Sequence, residues 1–261
     1  MTRRGLFVPP FDVLADPGLV AELAALAEEA GWDGFFVWDH LLYAAPVTAI
    51  ADPWICCAAI AVRTSRILFG PMVTPLSRRR PQVVARQAVS LERLSGGRLV
   101  LGFGLGDDGP EGELSRFGEE TDARARAALL DDGLALLGEL LSGETVEHAG
   151  GRGARFLPAP AARIPIWIAG RWPNAAPLRR AARYDGAFVI SVPDAAGLRE
   201  LRARLAALRD DDPGRFDVVV DIPAGQDPAP WAEAGADWVL TRVGPYELDL
   251  DAVRAVIRSG P

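Results

Sequence analysis

The chain has 261 residues, 49% of them hydrophobic and 24% charged, and a net charge of −7. That balance is that of an ordinary globular protein with a large core. It argues against a nucleic-acid surface, and no apolar run approaches the roughly 20 residues of a membrane span. All 28 basic residues are arginine, which removes lysine Schiff-base and Walker-type phosphate chemistry.

Met1-Thr2-Arg3-Arg4 leads into a strand pattern with no signal-peptide core, so a cytoplasmic protein is expected. Leu6-Phe7-Val8-Pro9 reads as a first strand. Asp16-Pro17 supplies an N-cap with proline at the first helical position, and Leu19, Val20, Leu23, Leu26, Ala27 and Ala30 recur at helical spacing. Gly31 ends that helix, and Gly34 to Val37 is an apolar run suited to a strand covered on both faces. Asp52-Pro53 repeats the start signal for a second helix. The adjacent cysteines inside it, Cys56 and Cys57, match no metal-site spacing and read as small core residues of a reducing compartment.

Ile67 to Thr74 is the third strand, but the Gly70-Pro71 pair inside it does not suit an open central strand, so a bend or bulge is expected there. Pro81 opens a helix closed by Ser95-Gly96-Gly97, and Leu99 to Phe103 is the fourth strand. Thr121 to Leu141 is the longest helical pattern. Residues 142–165 form a Gly- and Pro-rich connection with a small strand at Arg155-Phe156-Leu157. Strands resume at Ile166–Ala169, Ala187–Ile190, Phe216–Ile222 and Asp237–Leu240. The helices between and after them cover Ala175–Tyr184, Ala195–Leu208, Pro228–Ala234 and Asp251–Arg258.

Eight strands each followed by a helix in this length predict an α/β protein, a compact (β/α)8 TIM barrel with little insertion, as one domain over residues 1–261. A doubly wound open sheet would need a dinucleotide glycine fingerprint after its first strand, where Pro9-Pro10-Phe11 stands instead.

Parallel α/β folds bind ligands at the carboxyl ends of their strands. Trp38-Asp39-His40 sits at such an end. His40, one of two histidines, is the candidate group titrating near neutrality, with Asp39 as its partner or, alternatively, as a loop tie. Gly104 and Gly106, in Gly102-Phe103-Gly104-Leu105-Gly106, either let the backbone approach a flat ligand or serve a turn needing positive φ. Asp107, Asp108, Glu111 and Glu113 follow as possible acids or bases, most of them read as solvated. Gly170, Arg171 and Asn174 lead from the fifth strand into a helix start and form a candidate anion site, with a structural arginine as the competing view. Arg78-Arg79-Arg80 is a local basic cluster, read as a solvated loop or an anion contact. No nucleophile elbow, zinc motif or Cys-x-x-Cys occurs, and no metal is expected.

The pattern resembles the bacterial luciferase-like flavin-dependent oxidoreductases, most closely the branch using the deazaflavin coenzyme F420. The motifs carrying the resemblance are Ala30-Gly31-Trp32-Asp33-Gly34 leading into Asp39-His40, Gly70-Pro71-Met72-Val73-Thr74, and Leu94-Ser95-Gly96-Gly97-Arg98 leading into Leu101-Gly102-Phe103-Gly104. It implies hydride transfer between F420 and a small organic substrate, His40 as proton donor or acceptor, and Asp39 orienting its ring. It also implies a cofactor ring backed by Met72, Val73 and Thr74, with a non-prolyl cis peptide at Met72-Val73, and a likeness to homodimeric relatives. The alternatives are an FMN-dependent monooxygenase supplied by a separate flavin reductase, and a cofactor-binding barrel without turnover. Two departures stand out. Relatives that oxidise sugar phosphates have a tryptophan where this chain has Ala44, and the Asp221–Asp227 loop is short, which leaves the pocket open or closed by a second subunit.

Overall fold

The computed structural model describes residues 1–147, 153–209 and 214–261. In chain order the elements are β1 (Arg3–Val8), α1 (Pro17–Glu29), β2 (Gly34–Val37), α2 (Pro53–Arg63), β3 (Leu68–Pro71), β4 (Thr74–Pro75), α3 (Pro81–Ser95), β5 (Leu101–Gly104) and α4 (Ala123–Ser142). The chain continues through β6 (Thr145–Val146), β7 (Ala154–Arg155), β8 (Ile166–Arg171), α5 (Ala175–Ala181), β9 (Gly186–Ile190), α6 (Ala195–Leu208), β10 (Asp217–Pro223), α7 (Ala229–Glu233), β11 (Trp238–Arg242) and α8 (Leu250–Arg258).

Nine strands form one sheet in the order β3-β2-β1-β11-β10-β9-β8-β5-β4. They fill eight barrel positions, because β3 and β4 are two pieces of one strand interrupted at Met72-Val73. Every pairing in this sheet is parallel, and a bridge from Phe69 to Leu99 brings its two ends together. The expected barrel is present. The small strand expected at residues 155–157 begins one residue earlier and forms an antiparallel hairpin with Thr145–Val146. Residues 148–152 of that connection, with the second histidine, His148, lie outside the described residues.

Local chemistry accounts for the boundaries. The side chains of Asp16, Asp52, Asp122, Asp194 and Asp249 each accept a backbone N–H of the first helical turn, satisfying donors that have no intrahelical partner. Gly96 closes α3 at φ 66, a conformation that costs a side-chain-bearing residue energy. Cys56 and Cys57 are free and buried, as expected of core residues.

The third strand breaks where Gly70-Pro71 suggested it would. Phe69 pairs with Leu99, and Thr74 pairs with Phe103. Four residues, Gly70 to Val73, therefore lie between these pairs on one side and three, Val100 to Gly102, on the other, which is a bulge of one residue, and the peptide Met72-Val73 within it is cis.

Apolar packing occurs in two layers. The larger lies between the sheet and the helices, and a smaller one of Phe7, Phe36, Met72, Val100, Trp167, Phe188, Val219, Trp238 and Leu240 fills the barrel interior. Large interior rings need small neighbours: a Cβ on Gly34 would lie 2.6 Å from Phe36 and 2.9 Å from Trp238.

Glu28, near the end of α1, holds the entry to β3. Its carboxylate accepts the backbone N–H groups of Ser65 and Ile67 at 3.0 and 2.7 Å and that of Arg66 as well. Burial works to raise this carboxyl, but these donors and the Ser65 hydroxyl outweigh it and bring its pKa from 4.5 down to about 2. A depressed folded-state pKa gives stability that is present above about 4.5 and is lost as pH falls toward about 2. Glu28→Gln is expected to cost about 1 kcal/mol at pH 7, since the site is partly exposed. In urea melts the gap between variant and parent should close on going from pH 7 to pH 2, and a gap unchanged by acid would refute the assignment.

Candidate active site

The carboxyl ends of β2, β4 and β5 carry a buried cluster of charges. Asp39 follows β2 and is 2% exposed. Its Oδ2 accepts the Thr74 hydroxyl at 2.7 Å, its Oδ1 accepts Arg78 Nη2 at 2.5 Å, and Arg79 Nη2 lies 3.2 Å from Oδ2. Thr74 is held in turn by the Trp54 indole, which donates to its hydroxyl at 3.1 Å. Arg78 lies in the turn after β4, and its other nitrogen, Nη1, donates to Glu113 Oε1 at 2.7 Å. Its side chain is 3% exposed and those of Asp39 and Glu113 are 0% and 4% exposed, so the guanidinium and both carboxylates have left water together.

Glu113, in the loop after β5, completes the group. It accepts the Leu41 backbone N–H on Oε1, and its Oε2 lies 2.9 Å from His40 Nδ1. Its loop is pinned by Asp108, whose Oδ1 accepts the backbone N–H groups of Leu114 and Ser115 at 2.7 and 2.8 Å. Burial acts to raise the Glu113 carboxyl, but His40, Arg78 and the Leu41 N–H outweigh it and hold it below the usual carboxylate range. An ionised carboxylate can only accept, so Nδ1 of His40 carries a proton, and in the neutral form of the ring Nε2 is the nitrogen with the lone pair.

Two expectations need correction here. Asp39 does not orient His40, because its oxygens are taken by Thr74, Arg78 and Arg79, and Glu113 has that position instead. Arg78 and Arg79 are neither a solvated loop nor a site for an external anion, since they neutralise the protein's own carboxylates; Arg80 alone of the three is exposed. Of the four residues offered as possible acids or bases, Asp107, Asp108, Glu111 and Glu113, it is Glu113 that is buried.

The other candidates fall into two groups. Met72 is buried in the barrel interior and Val73 half-buried at the bulge, while Thr74 is fully buried with its hydroxyl occupied by Asp39 and Trp54. Gly104 is where the bulge packs: a Cβ there would lie 2.9 Å from Val73 Cγ2. Gly106 has φ 71, and its Cβ would lie 2.8 Å from Pro75. Both glycines are thus required by the protein's own turn and bulge. Gly170 lies in β8 against Pro177, exposed Arg171 ends that strand with Nη1 donating to Ser191 Oγ at 3.0 Å, and exposed Asn174 precedes α5 without a side-chain cap.

Around His40 stands an aromatic group that sequence reading did not assemble. Tyr43 lies 4.9 Å from the His40 ring, 5.1 Å from Phe11 and 6.0 Å from Trp38 between centroids. The Trp38 indole N–H is shielded and has no acceptor among the described residues.

The model of the luciferase-like monooxygenase family matches residues 9–248. The chain belongs to this family. It is 33% identical over 202 residues to an F420-dependent glucose-6-phosphate dehydrogenase of Nakamurella multipartita, an alignment covering 74% of this chain and 58% of that protein. Against the enzyme of the same name from Beutenbergia cavernae it is 32% identical over 231 residues, covering 82% of this chain and 66% of that one. The chain thus spans less than two thirds of the length of these curated relatives. Its fold is similar to that of an F420-dependent secondary alcohol dehydrogenase solved with an F420-acetone adduct, with a TM-score of 0.80 at 17% identity over 99% of this chain and 97% of that one.

Removing Arg78 leaves two carboxylates buried without their shared cation. Arg78→Leu should cost about 3 to 5 kcal/mol in chemical denaturation, clearly more than Arg79→Leu, whose side chain is 19% exposed. Equal losses would mean that the cluster is more hydrated than its burial implies.

Proposed function

We propose that this chain is an oxidoreductase that moves a hydride between coenzyme F420 and a small organic substrate, with His40 handling the proton. The observation that carries this reading is the His40–Glu113 pair at the barrel mouth, which leaves Nε2 free on a side chain that is 28% exposed. The relatives' names and the family membership support the cofactor.

The residues at the mouth suit such a cofactor. The Trp38 indole N–H has no acceptor among the described residues, and a flat ring bearing carbonyl groups offers acceptors. Val73 at the bulge, with Gly104 and Gly106, would back the ring, and Gly170, Arg171 and Asn174 would hold the anionic tail, the exposed Arg171 guanidinium donating to the Ser191 hydroxyl and to no carboxylate among the described residues. A bound deazaflavin supplies the hydride acceptor or donor.

His40 contributes the proton step. In the oxidative direction Nε2 accepts the proton of the substrate hydroxyl, and Glu113 stabilises the imidazolium that results. In the reductive direction the imidazolium returns that proton to the carbonyl oxygen. Asp39 acts at one remove, by holding Arg78, which holds Glu113.

The chain is further proposed to be a cytoplasmic homodimer. Ile55 and Val62 on α2 and Val83 and Leu94 on α3 are exposed apolar side chains that a second copy could cover, and the two free cysteines suit a reducing compartment.

Titration with F420 and with FMN separates the cofactor readings: saturable binding of F420 alone is expected, and binding of FMN alone would favour a reductase-supplied monooxygenase. Arg171→Ala should weaken F420 binding by roughly 1.5 to 3 kcal/mol with little change in Tm. His40→Ala should lower the rate of hydride transfer roughly 10²- to 10⁴-fold while F420 affinity persists. Normal turnover in that variant would remove His40 from the mechanism.

A further inference from the structure

A pocket of about 480 Å³ opens beside His40 between the carboxyl ends of β2, β10 and β11. Trp38 and Tyr43 form one wall, Pro223, Ala224 and Pro245 the other, and Arg242 supplies the pocket's cation. The Tyr43 ring, which contacts His40, thus joins the pocket to the proton-handling group. We propose that this is the substrate pocket and that it takes an uncharged, largely apolar alcohol or carbonyl compound, not a sugar phosphate or another anion. The proposal rests on the hydride-transfer reading and narrows it to a substrate class.

Volume does not discriminate, because small-ligand pockets span about 300 to 1,000 Å³ and a hexose phosphate would also fit. Charge does. Arg242 Nη1 donates to Asp221 Oδ2 at 2.7 Å, and the Asp221 side chain is 2% exposed. The carboxylate therefore cancels the pocket's own cation. Arg78 and Arg79 are likewise matched to Asp39 and Glu113. Arg171, at the end of β8, lies near enough for its charge to act on Asp221 as well, but under the reading above it is matched by the anionic tail of the cofactor. An anionic substrate entering here would lose its hydration against pairs that are already neutral, and nothing would replace it.

What the pocket does offer is apolar surface. Phe11 supports both wall rings from behind, at 5.1 Å from Tyr43 and 6.0 Å from Trp38. Burial and the neighbouring Tyr246 hydroxyl, with which it hydrogen-bonds, push the Tyr43 hydroxyl above its ordinary pKa, so this wall brings no charge to the pocket. Ala44 adds no ring, and Tyr43 provides the aromatic surface one residue earlier in the chain.

The reaction on such a substrate balances without a further reagent. The carbinol C–H bond breaks and its electron pair passes with the hydrogen to oxidised F420. The hydroxyl proton goes to His40 Nε2, and the carbon–oxygen bond becomes double. The alcohol is oxidised and the deazaflavin reduced.

A pair of probes that differ in charge tests the assignment: 1-phenylethanol, and mandelate, which carries a carboxylate in place of the methyl group. Calorimetric titration of the protein, with and without F420, should show 1-phenylethanol binding roughly tenfold or more tighter than mandelate. Glucose 6-phosphate should give no binding at the same concentrations. Asp221→Asn leaves Arg242 uncompensated and should bring mandelate to parity with 1-phenylethanol or beyond. Tyr43→Ala should weaken 1-phenylethanol roughly 3- to 10-fold.

Binding of mandelate or glucose 6-phosphate by the unaltered protein as tight as that of 1-phenylethanol overturns the proposal, and so does an absence of 1-phenylethanol binding. If Asp221→Asn does not fold, the unaltered protein and Tyr43→Ala still decide. Failure of the underlying reading has a separate signature: F420 does not bind, whichever probe does. Turnover of glucose 6-phosphate with F420 would leave that reading standing and remove the substrate class.

Discussion

The geometry of the mouth depends on one arginine shared by two carboxylates. Arg78 reaches Asp39 with one nitrogen and Glu113 with the other, and all three side chains are almost entirely removed from water. An isolated ionised carboxylate in that environment would take up a proton or draw the loop open. Two carboxylates with two guanidinium groups, the second being that of Arg79, give a cluster whose formal charges balance. Such a cluster adds little net stability over an apolar packing of the same volume, but it tolerates few geometries. It fastens the ends of three barrel strands to each other, and the orientation of His40 follows from theirs.

The bulge in the third strand is a second constraint on the same region, and it is steric. A Cβ on Gly70 would sit 1.7 Å from the Val100 carbonyl oxygen, and one on Gly102 would lie 2.4 Å from Met72 Sδ. With Gly104 against Val73, three glycines let the interrupted strand lie flush on β5 while it carries one residue more than its neighbour. The extra residue lets Thr74 resume pairing in register to receive Asp39 on one side of its hydroxyl and Trp54 on the other. The sequence pattern assigns Gly102 and Gly104 to ligand approach or turn geometry, and the neighbour they admit is the protein itself.

The fold was legible because its signals are local. Asp16-Pro17 and Asp52-Pro53 state a helix start within two residues, Gly96 states an end, and apolar runs such as Gly34–Val37 state strands buried on both faces. The site was legible only as to place. His40 was identified from its position after a strand, but its partner lies 73 residues away in a loop whose acids all look alike in one dimension. Nothing local distinguishes Glu113 from Glu111. The distinction arises only because Asp108 caps the turn at Leu114 and Ser115 and so directs one side chain inward. Arg78 misled for the same reason: three consecutive arginines look solvated until the fold brings carboxylates to the first two.

Rigidity and exposure divide between the parts of this mouth in a way that suits proton transfer. A group that exchanges protons with a substrate must be reachable, and its orientation must not be lost to solvent motion before the substrate arrives. His40 meets both demands through asymmetry. Its side chain is 28% exposed while that of Glu113 is 4% exposed, so one part of the imidazole is open to solvent and the other is held by a group that cannot rearrange without breaking a buried ion pair. Asp39 is adjacent in sequence and would place the orienting carboxylate on the same loop as the ring. Drawing that carboxylate from another strand's loop makes the ring's direction depend on the barrel, whose strand spacing is fixed by packing throughout the core, and not on the conformation of one loop.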